Sequence, residues 1–163
     1  MRESNLSINF FIMKRILLMD FLDSNKHVQS AGLFILRFTA FIVVFPHGAQ
    51  LLLGLFGGYG FNQTMDYFTG TVKLPWIIGL FVIFIQFFGA MLLLLGWYTR
   101  LNAMAMLAIF AGMIFTNHIE HGFFMNWFGN NSGEGFEYHL LIIGIMLGLV
   151  FMGAGKYSLD NNP

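Results

Sequence analysis

Four apolar stretches, residues 31–56, 75–98, 101–119 and 136–154, set the limits on what this chain can fold into. A bilayer core of about 30 Å is crossed by about 20 helical residues, and each stretch approaches or exceeds that length. In hydrocarbon every backbone N–H and C=O must be satisfied within the chain, so stretches of this kind fold as helices. Composition agrees: 57% of the 163 residues are hydrophobic and 10% are charged, against about 25% charged in soluble domains. A domain this size leaves about 30% of its chain surface exposed, and so few charges cannot cover it. The expected fold is all-α, a transmembrane antiparallel four-helix bundle whose first partner is the lipid bilayer.

Residues 10–22 are apolar but broken by Lys14, Arg15 and Asp20 and too short to span. They are expected to form a short N-terminal interfacial helix. This divides the chain into a cytoplasmic segment 1–30, a four-span domain 31–160 and a tail 161–163. A signal peptide is the competing reading, but no small-residue cleavage site precedes Ala31 and the apolar run carries charge. Met13, before Lys14 and Arg15, rivals Met1 as the start. Arg2, Lys14, Arg15 and Lys26 precede the first span, Arg100 lies between the second and third, and Lys156 follows the fourth, with only Lys73 on the other side. Cytoplasmic loops carry the excess of Lys and Arg, so both termini are expected in the cytoplasm and loops 57–74 and 120–135 outside. Small residues suggest the packing faces: Gly79, Gln86 and Ala90 in span two, Ala105, Ala108 and Gly112 in span three, Gly144 and Gly148 in span four.

Zero net charge offers no electrostatic footprint for nucleic acid. With no cysteine there are no disulfides, thiol nucleophiles or Cys-ligated metal clusters. Chemistry falls to His, carboxylates, Arg or a borrowed cofactor, and no catalytic residue is assigned.

At 1.5 Å per residue, Arg37 lies about 9 Å along span one, His47 about 24 Å, and His118 about 26 Å along span three. Gln86 is near the midplane. Glu120 and His121 follow span three, and Glu137 and His139 open span four at the same level. Four of the five histidines thus gather near one membrane face. Histidine beside carboxylate can bind metal, shuttle protons or hydrogen-bond a quinone. His47 follows Pro46, which removes a backbone hydrogen bond and can kink the helix. His118 and His121, three apart, share a helix face. The plain alternative is that these groups meet water and lipid head groups. Glu137, on the stripe of Gly144 and Gly148, is expected to face a neighbouring helix; His139 points about 140° away from it. Arg37 either snorkels to the surface or pairs with Asp160, and Arg37, Arg100 and Asp160 are assigned structural roles. Gln86 is either a bridge between helices or a ligand contact.

Several of these residues fall into a recognisable order: Arg37 with His47-Gly48, Gln86-Phe87-Phe88-Gly89 leading to Gly96-Trp97-Tyr98-Thr99-Arg100, His118, and Gly153-Ala154-Gly155-Lys156-Tyr157-Ser158-Leu159-Asp160. In this order and spacing the chain resembles the DoxX family of small four-helix membrane proteins, over residues 33–160. It departs at Gln86, where the family often has glutamate, and at Gln50, where lysine commonly follows the His-Gly pair. The resemblance implies a bacterial-type inner (plasma) membrane protein, in some relatives a subunit linked to quinone reduction by sulfur compounds, in others a partner of redox-protective enzymes. The expected function is a membrane subunit of a redox assembly contacting quinone near the outer face through His47, His118, Glu137 and Gln86, with electrons from another subunit. Haem or metal ranks behind quinone, with His47, His118 and His121 as candidate ligands. The rival is a non-enzymatic scaffold, alone or as a homo-oligomer, that anchors protein partners through its aromatic outer loops, residues 57–67 and 123–136. Transport is disfavoured, because no internal repeat or discontinuous helix pair is present.

Overall fold

The computed structural model describes residues 2–160, and among these residues the chain is helical with no strand. The first helix, α1, runs unbroken over Arg2–Leu53, through Pro46, and its part Ser24–Leu53 is long and apolar enough to cross a membrane. The short N-terminal helix expected as a separate element is therefore the opening of α1. The physical reason is visible in residues 20–31, which contain neither Gly nor Pro to stop a helix once begun.

Beyond α1 the chain turns at Gly54, which adopts a left-handed conformation (φ 70°). The stretch expected as a loop is largely helical: α2 (Gly60–Asp66) continues into a wide turn at Tyr67–Thr71. Phe61, Met65 and Phe68, spaced four and three apart, give it one apolar face that packs on Val82 and Ile83. Gly79 leaves room for that contact, since a Cβ there would lie 3.2–3.4 Å from Phe68 and Met65 side-chain atoms.

The second span, Trp76–Leu95, consists of α3 (Trp76–Phe84), a π-helical turn at Ile85–Gly89 and α4 (Ala90–Leu95). After a tight turn at Gly96 the third span, Thr99–His121, comprises α5 (Thr99–Met113), a π turn at Ile114–His118 and a 3₁₀ turn at Ile119–His121. The last helix, α6 (Glu137–Met152), is apolar but shorter. Three helices are thus long enough to span and a fourth is close.

Leu33, Ala40 and Val44 of α1, Ala90 and Leu93 of α4, Ala103, Met106 and Phe110 of α5, and Ile142, Met146 and Leu149 of α6 form the core. Two expected packing faces are corrected. On α6 the buried positions are His139, Ile142, Met146 and Leu149. Gly144 is exposed, and a Cβ added there would meet nothing within 4 Å, while one at Gly148 would reach only Leu36, at 3.8 Å. On α5 Ala103, Met106 and Phe110 are buried, whereas Ala108 and Gly112 are exposed. On α6 the larger side chains fill the core, and on α5 Ala103 is buried beside Met106 and Phe110 while Ala108 and Gly112 face outward. The stripe of Gly79, Gln86 and Ala90 in the second span is buried as read.

Candidate functional site

The polar residues gather at two opposite ends of the helices, and the two ends do different work. At the first, α4 stops because Gly96 adopts a left-handed turn (φ 65°), with its N–H on the Leu93 carbonyl and that of Trp97 on Leu92, both at 3.0 Å. A helix end leaves carbonyls without partners. Arg37, 0% exposed, supplies them: Nη1 donates to Leu94 O at 2.9 Å and Leu93 O at 3.3 Å, and Nη2 donates to Tyr157 O. The start of α5 leaves the converse need, free N–H groups, and Asp160 accepts from Tyr98 at 2.6 Å and Thr99 at 2.7 Å. A cation at a helix C-terminus and an anion at an N-terminus both complement the helix dipole. Leu159 N–H and Asp160 N–H also donate to Leu95 O and Gly96 O, at 3.1 and 2.7 Å. Partial burial opposes charge on Asp160, but hydrogen bonds from Thr99 and Tyr98 and the charge of Arg37 prevail and hold its carboxyl below the ordinary 3.8. Arg37 neither snorkels nor bonds Asp160 directly; the two grip opposite sides of one turn. Arg100 donates to Phe151 O at 3.5 Å, tying α5 to the end of α6.

At the other end lie the histidines. His118 sits in the π turn after α5, its Nδ1 2.8 Å from the Glu134 carbonyl. A carbonyl can only accept, so Nδ1 carries the hydrogen. The His118 ring lies 4.1 Å, centroid to centroid, from that of His139. His139 is 6% exposed and its Nδ1 has no hydrogen-bond partner. Phe110 flanks it at 5.7 Å, and Tyr138, whose buried hydroxyl also lacks a partner, lies between it and His47, 6.4 Å from the latter. His47 itself is exposed. Gln86 is 3% exposed with an unpartnered Nε2. Its π turn touches α1 backbone to backbone at Gly48, where a Cβ would come within 2.5 Å of Phe87 N and 2.6–2.7 Å of the Gln86 carbonyl group. Gln86 is thereby set at the level of the His47-Gly48 pair.

Sequence reasoning passed over His139 and Tyr138. The sequence carried no signal for them, because α6 is apolar all round; only its observed rotation shows that His139 stands three, seven and ten residues before Ile142, Met146 and Leu149, the large side chains that fill the core. Glu137, chosen instead, turns to the loop and accepts from the Trp127 indole at 3.3 Å. His121 is also apart, with Ser132 Oγ 3.4 Å from its Nδ1 and its ring against Gly133. Among the described residues no three His or acidic side chains converge in a metal-binding group.

Loop 122–136 closes over this end. Phe136 and Glu137 N–H donate to Gly122 O and Phe123 O at 3.2 and 2.9 Å. Asn126 and Asn131 exchange bonds at 2.9 and 3.0 Å, and the Glu134 carboxylate accepts from Asn126 N–H at 2.7 Å. Gly135 packs against the carbonyls of residues 122–124, with no space for a side chain. These bonds aim the Glu134 carbonyl at His118.

The profile of the DoxX family matches residues 32–119, the stretch that holds Arg37, His47, Gly48, Gln86 and His118. The chain belongs to the DoxX family. No curated protein and no solved structure matches it. Family and apolar helices together make it a multi-pass membrane protein. Tyr138, His139 and Asp160 lie beyond the matched stretch, so in this DoxX protein each polar cluster joins residues inside the family region to residues outside it.

Proposed function

We propose that this DoxX protein is the membrane subunit of a redox assembly and binds a quinone head group at its histidine end, with Gln86, His118, Tyr138 and His139 around the ring and His47 at the edge. The supporting observation is that Gln86 Nε2, Tyr138 Oη and His139 Nδ1 are buried without partners, Tyr138 and His139 side by side on α6 and Gln86 at the level of the His47-Gly48 pair. Leaving such a group unsatisfied costs about 1–3 kcal/mol each. A ligand with carbonyl oxygens on an apolar ring satisfies these groups while its flat faces meet Phe110. When bound, a quinone supplies two-electron redox chemistry, and this chain orients it, excludes water and exchanges its protons through imidazole. Electrons come from another subunit. The Lys and Arg distribution supports cytoplasmic termini in a bacterial-type inner membrane, with the histidine end outside.

Titration of the detergent-purified protein with a decyl-chain benzoquinone tests the reading. The expected result is saturable binding that Q86L and H139L each weaken by about tenfold, equal to about 1.4 kcal/mol. No saturable binding up to the solubility of the probe overturns it. The exposed Phe124, Trp127 and Phe128 on loop 122–136 support a scaffold instead. On that reading, partner recovery depends on these three residues and is indifferent to Q86L and H139L.

A further inference from the structure

We propose that loop 122–136 is seated in lipid, with Phe124, Trp127 and Phe128 at the boundary between head groups and acyl chains at the histidine end. The occupant of this aromatic surface is the bilayer itself, and the inference is independent of the quinone reading.

Helix length carries the first part of the argument. At 1.5 Å per residue the 16 residues of α6 rise about 24 Å, about 6 Å less than a hydrocarbon core of about 30 Å. The deficit does not lie at the Met152 end. There Arg100 reaches the Phe151 carbonyl at 3.5 Å, and its Nε and Nη2 stand 3.5–3.6 Å from the Cβ position of Gly153. A guanidinium seeks the head-group level, so α6 meets that level where it ends, and Lys156 follows soon after. The shortfall therefore falls at Glu137, and the chain that fills it is the loop closing over that end.

The loop is built for such a position. Backbone that leaves a helix at this depth must find its hydrogen bonds within the protein. Trp127 N–H donates to Met125 O at 2.9 Å and Gly129 N–H to Asn126 O at 3.1 Å. Asn126 and Asn131 bond each other, and Glu137 accepts from the Trp127 indole. The side chains left facing outward are large and apolar: Phe124, Trp127 and Phe128 are 71%, 77% and 87% exposed. Residues 119–136 contain no lysine or arginine, and aromatic side chains are the usual occupants of the membrane interface. Asn130, Asn131 and Ser132 form an exposed polar stretch beside them that meets water. Because the loop also carries the Glu134 carbonyl that meets His118 at 2.8 Å, lipid contact holds it over the histidine end.

The test is fluorescence quenching in phosphatidylcholine nanodiscs, which leave both faces open to water. A W76F/W97F protein keeps Trp127 as its one tryptophan. Lipid brominated on the acyl chain near the head group is expected to remove about half of its emission, lipid brominated near the chain end less, and iodide in the water little. Emission quenched by iodide and indifferent to brominated lipid overturns the proposal and means that the bilayer thins to meet α6. Emission shielded from both also overturns it, and assigns the surface to a protein partner or a second copy of this chain. If gel filtration shows that the double variant does not fold, the same measurements on the unsubstituted protein and W127F give Trp127 by difference.

Discussion

Single atoms of empty space decide several features of this chain. Gly48 is needed because α1 and the Ile85–Gly89 turn meet backbone to backbone there, and a methyl group would stand 2.5 Å from Phe87 N. G48A is expected to destabilise by about 1–3 kcal/mol as the helices are forced apart, read as a lower Tm in detergent. It is also expected to weaken quinone binding, because Gln86 moves with the turn. Gly144 is the control. It faces outward with nothing within 4 Å of the Cβ position, so G144A is expected to be neutral or to stabilise by up to about 1 kcal/mol through helix propensity. From the sequence the two glycines look alike, since each lies in an apolar helix. Their difference comes from which face packs, and that was not legible: α6 is apolar all round, so hydrophobicity gives its rotation no direction.

Among the elements, the turn between α4 and α5 shows how charge placement organises helix ends. D160N removes an anion from the N-terminus of α5 and is expected to cost about 1 kcal/mol at neutral pH. Because the folded-state pKa of Asp160 is depressed below 3.8, its contribution is fully present above the unfolded-state value and is lost as pH falls through the folded one. The Tm difference between the unsubstituted protein and D160N is therefore expected to be constant from pH 7 to about 5 and to vanish at strongly acid pH. A difference that persists there would assign the effect to shape rather than charge. This pair of motifs was legible in sequence as residues, Gly96 through Arg100 and Gly153 through Asp160, but not as one structure. Nor was the helical character of residues 60–71, read as loop because glycine and polar residues mask the spacing of Phe61, Met65 and Phe68. The π turns at Ile85–Gly89 and Ile114–His118 have no periodicity of their own to betray them, yet they carry Gln86 and His118, as wide turns at functional sites often do.

For the molecule as a whole, the all-helical character and the three to four apolar helices able to cross a membrane followed directly from length and hydropathy, because hydrocarbon admits few alternatives. Convergence of the histidines did not follow, since it depends on the rotation of α6 and on the return of loop 122–136. The absence of cysteine makes sidedness easy to measure. N130C, exposed on the loop, and N25C, exposed at the N-terminal edge of the Ser24–Leu53 segment, each introduce a lone thiol. In intact cells an impermeant maleimide is expected to label N130C and to reach N25C only after permeabilisation. The opposite pattern would reverse the topology and place the histidine end, with the proposed quinone site, toward the cytoplasm.

The grip on Gly96 also constrains biogenesis. Arg37 is among the earlier residues to leave the ribosome and Asp160 among the later, yet both hold the same short bend. The hairpin of the middle two spans can insert as soon as it is translated, but its connecting bend stays half-fastened until translation reaches residue 160. A nascent chain arrested short of that point keeps the Arg37 half of the clasp and lacks the Asp160 half.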